Sequence, residues 1–262
     1  MSLTDRFMLA FKGSDFAHGQ TEIGNKRRNG KTEAKSFIVK QPLTKELIQE
    51  HLDGKKGIGS IPINKDNNCY FGVLDIDTYP IDHVEIRKKC EKLKLPLVVC
   101  RSKSGGAHLF LFAKEFIPAS LMQSKLKAMA DALGYAGSEI FPKQTEILVE
   151  RGDTGNFLNL PYHGGVRGLR YAIKAGGEAA SLESFYSIYD EWVQTRTEIE
   201  NIIVKKAEVV EIFPDGPPCL NRLAEEGFGE GSRNNSLFNL AIYRQKANPD
   251  NWQDVLEDDN HK

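Results

Sequence analysis

The sequence predicts an α+β fold with a mainly antiparallel sheet, followed by a small helical module. Amphipathic helices alternate with short apolar strands along the chain. The turn at Gly105-Gly106 joins two apolar runs that are too close together for a crossover, so the two strands form a hairpin. This pairing favours α+β over a doubly wound parallel sheet. Prolines then mark a linker before the last helical stretch, at Pro214, Pro217 and Pro218.

The elements follow in order along the chain. Residues 1–36 are polar, contain glycine and show little periodicity, so no element is predicted there. Thr44 is a good N-cap for a helix that ends at Gly54. Later helices are predicted over residues 82–95, 120–133, 181–206 and 219–246. Strands are predicted over residues 57–63, 70–76, 97–101, 107–112, 138–141, 157–160 and 169–173.

Composition is that of an ordinary globular protein and excludes several classes. The 262 residues include 35 basic and 36 acidic side chains, a net charge of −1, so the chain is not a globally basic nucleic-acid binder. Apolar runs are too short for a membrane span. Four scattered cysteines without a CxxC pair argue against a disulfide framework or a cysteine zinc site, and favour a cytoplasmic setting. One basic stretch could grip a nucleic-acid backbone or be a solvated loop: Lys26, Arg27, Arg28, Lys31 and Lys35.

Asp75 and Asp77 follow apolar residues of a predicted strand. Residues two apart on a strand share a face, with Cα atoms about 6.5 to 7 Å apart. Two acids at a buried strand end are costly unless they are paired or bind a cation, and Mg²⁺ and Mn²⁺ prefer oxygen ligands. The alternative is structural: Asp77 caps the next turn and Asp75 pairs with a lysine.

The next motif is a glycine turn that could hold phosphate. Small residues allow close backbone approach, while hydroxyls, free N–H groups and basic side chains suit phosphate oxygens. A plain hairpin turn with a satisfied histidine is the alternative. The candidate residues are Ser102, Lys103, Ser104, Gly105, Gly106 and His108, with Arg101 adding charge.

Glu139 opens a short apolar strand and is a candidate third acidic ligand. Glu146 and Glu150 are rivals, and a solvated strand-edge acid is the plain alternative. Lys143 and Gln144 lie close enough in sequence to reach a ligand beside it. Together with the glycine turn, three acids are typical of a two-metal phosphoryl-transfer site.

A further strand ends in a glycine loop, 155–165, with Asn159 and His163 as polar groups near its end. A strand and loop without a ligand is the alternative interpretation. The order of the four motifs nevertheless resembles that of the archaeo-eukaryotic primase superfamily, and in particular the primase-polymerases of phages and mobile elements. The resemblance covers about residues 40–175.

The resemblance implies an RRM-like catalytic core and template-directed nucleotidyl transfer in DNA replication. It implies that Asp75, Asp77 and Glu139 bind two Mg²⁺ or Mn²⁺ ions. It also implies that His108 is a catalytic residue that holds the phosphates of the nucleotide. The implied nucleotide-binding residues are Ser102, Lys103, Ser104, Gly105, Gly106, His108, Lys143 and Asn159. Its implied partners are single-stranded or primed DNA, NTP or dNTP, and a downstream helicase domain or protein.

Three parts are expected on this basis: a catalytic domain (1–178), a helical connector and linker (179–216), and a truncated helical module (217–262). The chain is then expected to be a fragment of a longer protein. Two other functions remain open. A metal-dependent nuclease also needs clustered acids, and a non-catalytic single-strand-binding module could use an RRM-like sheet.

Overall fold

The computed structural model describes residues 2–26, 32–204, 213, 216, 217, 220 and 233–260. The chain divides into two compact units, Met1–Lys205 and Lys206–Lys262. Within the described residues, no helix combines the length and apolar character that a membrane crossing requires.

The first unit contains six helices and nine strands among its described residues. The helices are α1 (Leu3–Ala10), α2 (Lys45–Leu52), α3 (His83–Lys92), α4 (Ala119–Leu133), α5 (Leu182–Trp192) and α6 (Arg196–Asn201). The strands are β1 (His18–Lys26), β2 (Thr32–Val39), β3 (Gly57–Ser60), β4 (Asn68–Ile76), β5 (Val98–Arg101), β6 (Ala107–Pro118), β7 (Glu139–Phe141), β8 (Leu158–Asn159) and β9 (Tyr171–Ala172).

Two sheets organise this unit. One has four strands in the order β2-β1-β3-β8, and the other has five in the order β7-β4-β6-β5-β9. Every paired strand within them is antiparallel. The predicted hairpin is β5–β6, in which Val98 lies opposite Phe110 and Arg101 opposite Ala107. The predicted α+β class and antiparallel pairing are confirmed.

The five-stranded sheet is buried on both faces. On one face, Leu74 and Leu109 belong to a core cluster with Met122 and Leu126 of α4. The packing there is close, because a Cβ atom added to Gly72 would lie 2.5 Å from Met122 Cγ. Helix α4 therefore packs directly on this first face at Gly72, and the candidate site described below lies on the other face.

The opposite face carries a phenylalanine-rich core. Phe71 and Phe110 pack there with Phe11, the C-cap residue of α1, and with Phe185 from α5. Ile58 of β3 belongs to the same cluster, so the two sheets share this core. Each of these side chains is at most 2% exposed. The helices α1 and α5 are thus part of the folding unit that positions the site.

The N-terminal segment differs from the sequence prediction, because residues 1–36 contain α1, β1 and part of β2. Helix α1 begins after a capping box in which Ser2 and Asp5 bond each other's backbone N–H groups. Strand β1 contains Gly19 where a loop was expected. A Cβ atom at Gly19 would lie 2.1 Å from the Phe157 ring, so the glycine is needed for this ring to cover the strand.

The predicted helix over 181–206 is two helices. Val193 is extended at the end of α5, and Gln194 forms a parallel bridge with Ala113 of β6. Thr195 then caps α6 through a capping box with Glu198. The three-part domain division stays a prediction.

The second unit contains α7 (Arg233–Ala247) and α8 (Trp252–Asn260) among its described residues. Phe213, Leu220 and Leu240 form a small separate core there. The predicted helix over 219–246 overlaps α7, and most of its first half lies outside the described residues.

Candidate active site

Asp75 lies at the centre of a row of polar side chains that crosses three strands. It is directly opposite His108 of β6 on one side and Glu139 of β7 on the other. Directly opposed residues of an antiparallel pair project to the same face of the sheet. The row therefore gathers three of the predicted site residues on the face that carries the phenylalanine-rich core.

The carboxylate of Asp75 has few partners that could offset the cost of its burial. Its Oδ1 atom lies 3.2 Å from Nε2 of His108, and the two side chains are 16% and 10% exposed. This contact lacks hydrogen-bond geometry, and Oδ1 is a buried atom without a hydrogen-bond partner in the described part of the chain. A buried carboxylate oxygen without a hydrogen bond costs free energy, and a bound cation would offset that cost. Among the described residues, the charged partner of Asp75 is His108 and not the lysine of the alternative interpretation.

Asp77 is exposed and lies just beyond the end of β4. The Tyr79 hydroxyl donates to its Oδ1 atom over 3.2 Å. A Cβ atom added to Gly106 would lie 3.1 Å from this same Oδ1 and 3.2 Å from Oγ of Ser102. The structure thus brings Asp77 next to the glycine turn.

The glycine turn, residues 102–106, is closed by its own backbone. Ser102 N–H donates to the Gly106 carbonyl over 2.8 Å, and Gly105 N–H donates to the Ser102 carbonyl over 3.2 Å. Gly105 has φ of +98°, a conformation that favours glycine. The Ser102 side chain is buried and lies 3.2 Å from the Ser104 hydroxyl, while Lys103 is exposed.

Arg101 is a brace for this turn. Its Nη1 atom donates to the carbonyls of Ser102, over 3.2 Å, and Leu169, over 2.8 Å. The guanidinium therefore ties the glycine turn to the loop before β9. The sequence predicts that Arg101 adds charge at the phosphate-binding turn, whereas these contacts give it a structural task.

Glu139, the candidate third acid, lies opposite Asp75 in the sheet, but its carboxylate pairs with a lysine. Glu139 is exposed, and its Oε1 atom forms an ion pair with Lys143 Nζ at 2.9 Å. Glu146 is also exposed and lies outside the strands that pair with β4. No group of three His, Cys, Asp or Glu side chains close enough to hold a metal ion occurs among the described residues.

Asn159 lies in the other sheet, opposite Gly59 of β3. Its Oδ1 atom accepts a hydrogen bond from the Thr21 hydroxyl over 2.9 Å, and Thr21 in turn is 2.9 Å from the Ser36 hydroxyl. This chain of contacts orients the amide of Asn159 from strands that sequence reasoning did not foresee.

An open pocket of about 180 Å³ lies beside the glycine turn. Its lining comes from the four-stranded sheet, the glycine turn and the loop before β9: Thr21, Gly57, Lys103, His163, Gly168, Leu169 and Arg170. Burial lowers the pKa of His163, and the positive charges of Arg170 and Lys103 lower it further. Burial also lowers the pKa of Arg170. Lys103 and Arg170 give the pocket its positive charge, whereas the lowered pKa of His163 favours the neutral form of that ring.

Sequence reasoning assigned Lys103 to ligand binding and noted His163, but it missed Arg170 and Thr21. The available signal for Arg170 was a basic residue five positions after the glycine loop that carries His163. The basic stretch predicted to contact nucleic acid lies mostly outside the described residues. This applies to Arg27, Arg28 and Lys31 and to the side chain of Lys26.

Residues 16–174, well over half of the chain, match the family described as the archaeo-eukaryotic primase domain of TOTE conflict systems. The chain belongs to this primase family. The match includes β1 to β9, and hence the whole polar row, the glycine turn and the cationic pocket. The predicted superfamily is confirmed, and members of it are nucleotidyltransferases that use divalent metal ions.

Two solved structures resemble the primase domain distantly. The first, the primase domain of the primase-polymerase from cyanophage S-2L, is 12% identical with a TM-score of 0.39, covering 71% of this chain and 95% of that chain. The second, primase RepB′, is 9% identical with a TM-score of 0.37, covering 99% of this chain and 92% of that chain. A comparison with curated protein sequences finds no match.

Proposed function

We propose that the primase domain catalyses template-directed nucleotidyl transfer, as a DNA primase, a DNA-directed DNA polymerase or both. The observation that carries this proposal is the polar row of Asp75, His108 and Glu139 beside the glycine turn and a cationic pocket. A phosphoryl-transfer site needs both halves, one for divalent ions and one for the triphosphate.

Asp75, Asp77 and Glu139 would hold the divalent ions, Mg²⁺ or Mn²⁺. The fit rests on the buried Oδ1 atom of Asp75 without a hydrogen bond and on the all-carboxylate donor set, which suits hard cations. Glu139 is the better third ligand than Glu146, because it faces Asp75 across the strand ladder. When bound, two such ions supply activation of the attacking hydroxyl and neutralisation of the leaving pyrophosphate.

The glycine turn and the pocket would bind the triphosphate. Lys103 belongs to both, since it is a turn residue and lines the pocket with His163 and Arg170. Arg170 is partly buried, where the lower local dielectric strengthens its attraction to an anion, and Lys103 adds an exposed positive charge. Ser102, Ser104 and the backbone of Gly105 and Gly106 add hydrogen-bonding groups on the side of Asp77.

His108 would hold a phosphate oxygen or fix the carboxylate of Asp75, since its Nε2 atom lies 3.2 Å from Oδ1. Lys143 would exchange its partner Glu139 for a phosphate when the ions bind. Asn159, whose amide is held by Thr21 of the pocket lining, would supply a further nucleotide contact. The basic stretch around Lys26–Lys35 would contact the template backbone.

The partners follow from this chemistry: single-stranded or primed DNA, NTP or dNTP, and a helicase domain or protein acting with the primase. The family description names a conflict system, so synthesis could serve defence rather than replication of the host or of a phage. The C-terminal unit is proposed to be the helical module of such enzymes.

The test is a pair of reactions with labelled NTPs or dNTPs in Mg²⁺ or Mn²⁺, one on a primed template and one on an unprimed single strand. Products on both identify a primase-polymerase, and products on the primed template alone identify a polymerase. The control is the double variant Asp75→Ala with Asp77→Ala. Cleavage of DNA without incorporation would instead support a nuclease. Binding of single strands that survives chelator, without any chemistry, would support a binding module.

A further inference from the structure

We propose that His83 is a positioning residue that holds the glycine turn in its anion-binding conformation. The proposal rests on the proposed function, because it assigns the turn to the triphosphate. The Nε2 atom of His83 lies 2.9 Å from the Gly106 carbonyl oxygen. Since a carbonyl only accepts, Nε2 carries the proton and donates.

The Gly106 carbonyl is the point at which the turn closes. It accepts from Ser102 N–H over 2.8 Å within the turn and from His83 outside it. Two donors occupy both lone pairs of this buried carbonyl. Together they fix the plane of the peptide that leads from the turn into β6, two residues before His108.

A shift of this peptide would displace the carboxylate of Asp77, which lies beside it. The Cα atom of Gly106 is closely surrounded, because an added Cβ would lie 2.4 Å from the Ile76 carbonyl oxygen, 3.1 Å from Asp77 Oδ1 and 3.2 Å from Ser102 Oγ. The turn is thus clamped between the end of β4 on one side and His83 on the other. Loss of the clamp would loosen the spacing between Asp77 and the hydroxyl of Ser102.

Helix α3, which is anchored in the core, holds His83 in place. It is the first residue of α3, directly after the N-cap Asp82, whose carboxylate accepts from the N–H groups of Val84 and Glu85. Ile86 and Cys90 anchor the helix in the first core cluster. A side chain on such an anchored helix positions its partner more accurately than one on a loop.

The test compares His83→Leu with His83→Gln, because the glutamine amide can donate in place of Nε2 while leucine cannot. Equilibrium binding of inorganic tripolyphosphate and of a non-hydrolysable nucleoside triphosphate is measured, together with KM and kcat for incorporation. For His83→Leu we expect about tenfold weaker binding of both probes and a tenfold higher KM, with kcat within about twofold. His83→Gln should recover most of the affinity. Lys88→Leu, an exposed site on the same helix, should behave as the wild type.

The proposed function and the role of His83 fail in different ways. If the wild type incorporates nucleotides and His83→Leu keeps its affinity and KM, the positioning role is wrong and the proposed function stands. The positioning role is also wrong if His83→Gln binds as weakly as His83→Leu while both unfold at the wild-type temperature. If the wild type neither binds the probes nor incorporates nucleotides, the proposed function fails and the role of His83 fails with it.

Discussion

The proposed metal site depends most on one carboxylate oxygen, Oδ1 of Asp75. Asp75 Oδ1 is buried, lacks a hydrogen-bond partner among the described residues and lies 3.2 Å from His108. Such an atom destabilises the fold unless a cation occupies its surroundings. This cost supports the proposal that Asp75 binds a cation.

The first prediction concerns Asp75→Asn. It removes the buried charge, so the unfolding temperature without metal should stay the same or rise, while incorporation should fall about a thousandfold. Mn²⁺ should raise the unfolding temperature of the wild type but not of the variant, because binding to the folded state alone stabilises it. Differential scanning fluorimetry with and without EDTA measures both effects. An equal Mn²⁺ shift in the two proteins would contradict the metal assignment.

His51 provides a second prediction at the residue scale. It is fully buried, accepts from Ile58 N–H at Nδ1 over 3.0 Å and donates from Nε2 to the Pro161 carbonyl over 2.8 Å. Burial, the largest influence, lowers its pKa to about 4. Between pH 6.5 and about 4 the unfolded chain therefore binds a proton that the folded chain does not.

Acid should accordingly lower the free energy of unfolding through this window. The loss caused by His51 should reach about 3 kcal/mol at about pH 4, and no loss is expected above about pH 6.5. Urea unfolding at a series of pH values measures the slope. A His51→Gln variant, which has no titrating ring, should show a shallower dependence by about that amount. If the two proteins had parallel pH dependences, His51 would not be the group responsible.

At the scale of elements, the register of strand β7 favours one of two candidate acids as the third metal ligand. It places Glu139 directly opposite Asp75, whereas Glu146 lies beyond the strand. We expect Glu139→Gln to lower kcat about a hundredfold and Glu146→Gln to stay within about threefold of the wild type. Both are exposed, so neither should change the unfolding temperature by more than a few degrees. A larger loss for Glu146→Gln would move the third ligand out of β7.

At the scale of the molecule, the first unit should fold without the second. Both large core clusters lie within residues 1–204, and the small cluster of Phe213, Leu220 and Leu240 is separate. A chain of residues 1–204 is expected to unfold cooperatively. A chain of residues 1–178 lacks α5, and with it the fully buried Phe185, whose removal alone costs about 3 to 5 kcal/mol. Thermal unfolding of both chains tests this boundary, and equal stability would favour a catalytic domain that ends at 178.

The sequence by itself determined the local features of this protein. Capping and periodicity predicted α2, α3 and α4, and the glycine turn predicted the β5–β6 hairpin, because these signals act over a few residues. The acids at the end of β4 were recognisable as candidates, since a carboxylate that follows apolar strand residues is costly to bury. The order of the motifs was enough to identify the primase superfamily.

Only the tertiary structure decided how these pieces meet. Strand register set Asp75, His108 and Glu139 in one row, and no local pattern encodes a register between distant strands. Pairing with β2 and β3, and cover by the Phe157 ring, accommodate a glycine-containing stretch as strand β1, which local propensity does not predict. The brace at Arg101 and the cation at Arg170 depend on partners and burial that arise only when the loop before β9 folds back on the turn. Contacts between residues far apart in sequence carry this information, since burial and charge compensation are properties of the assembled chain.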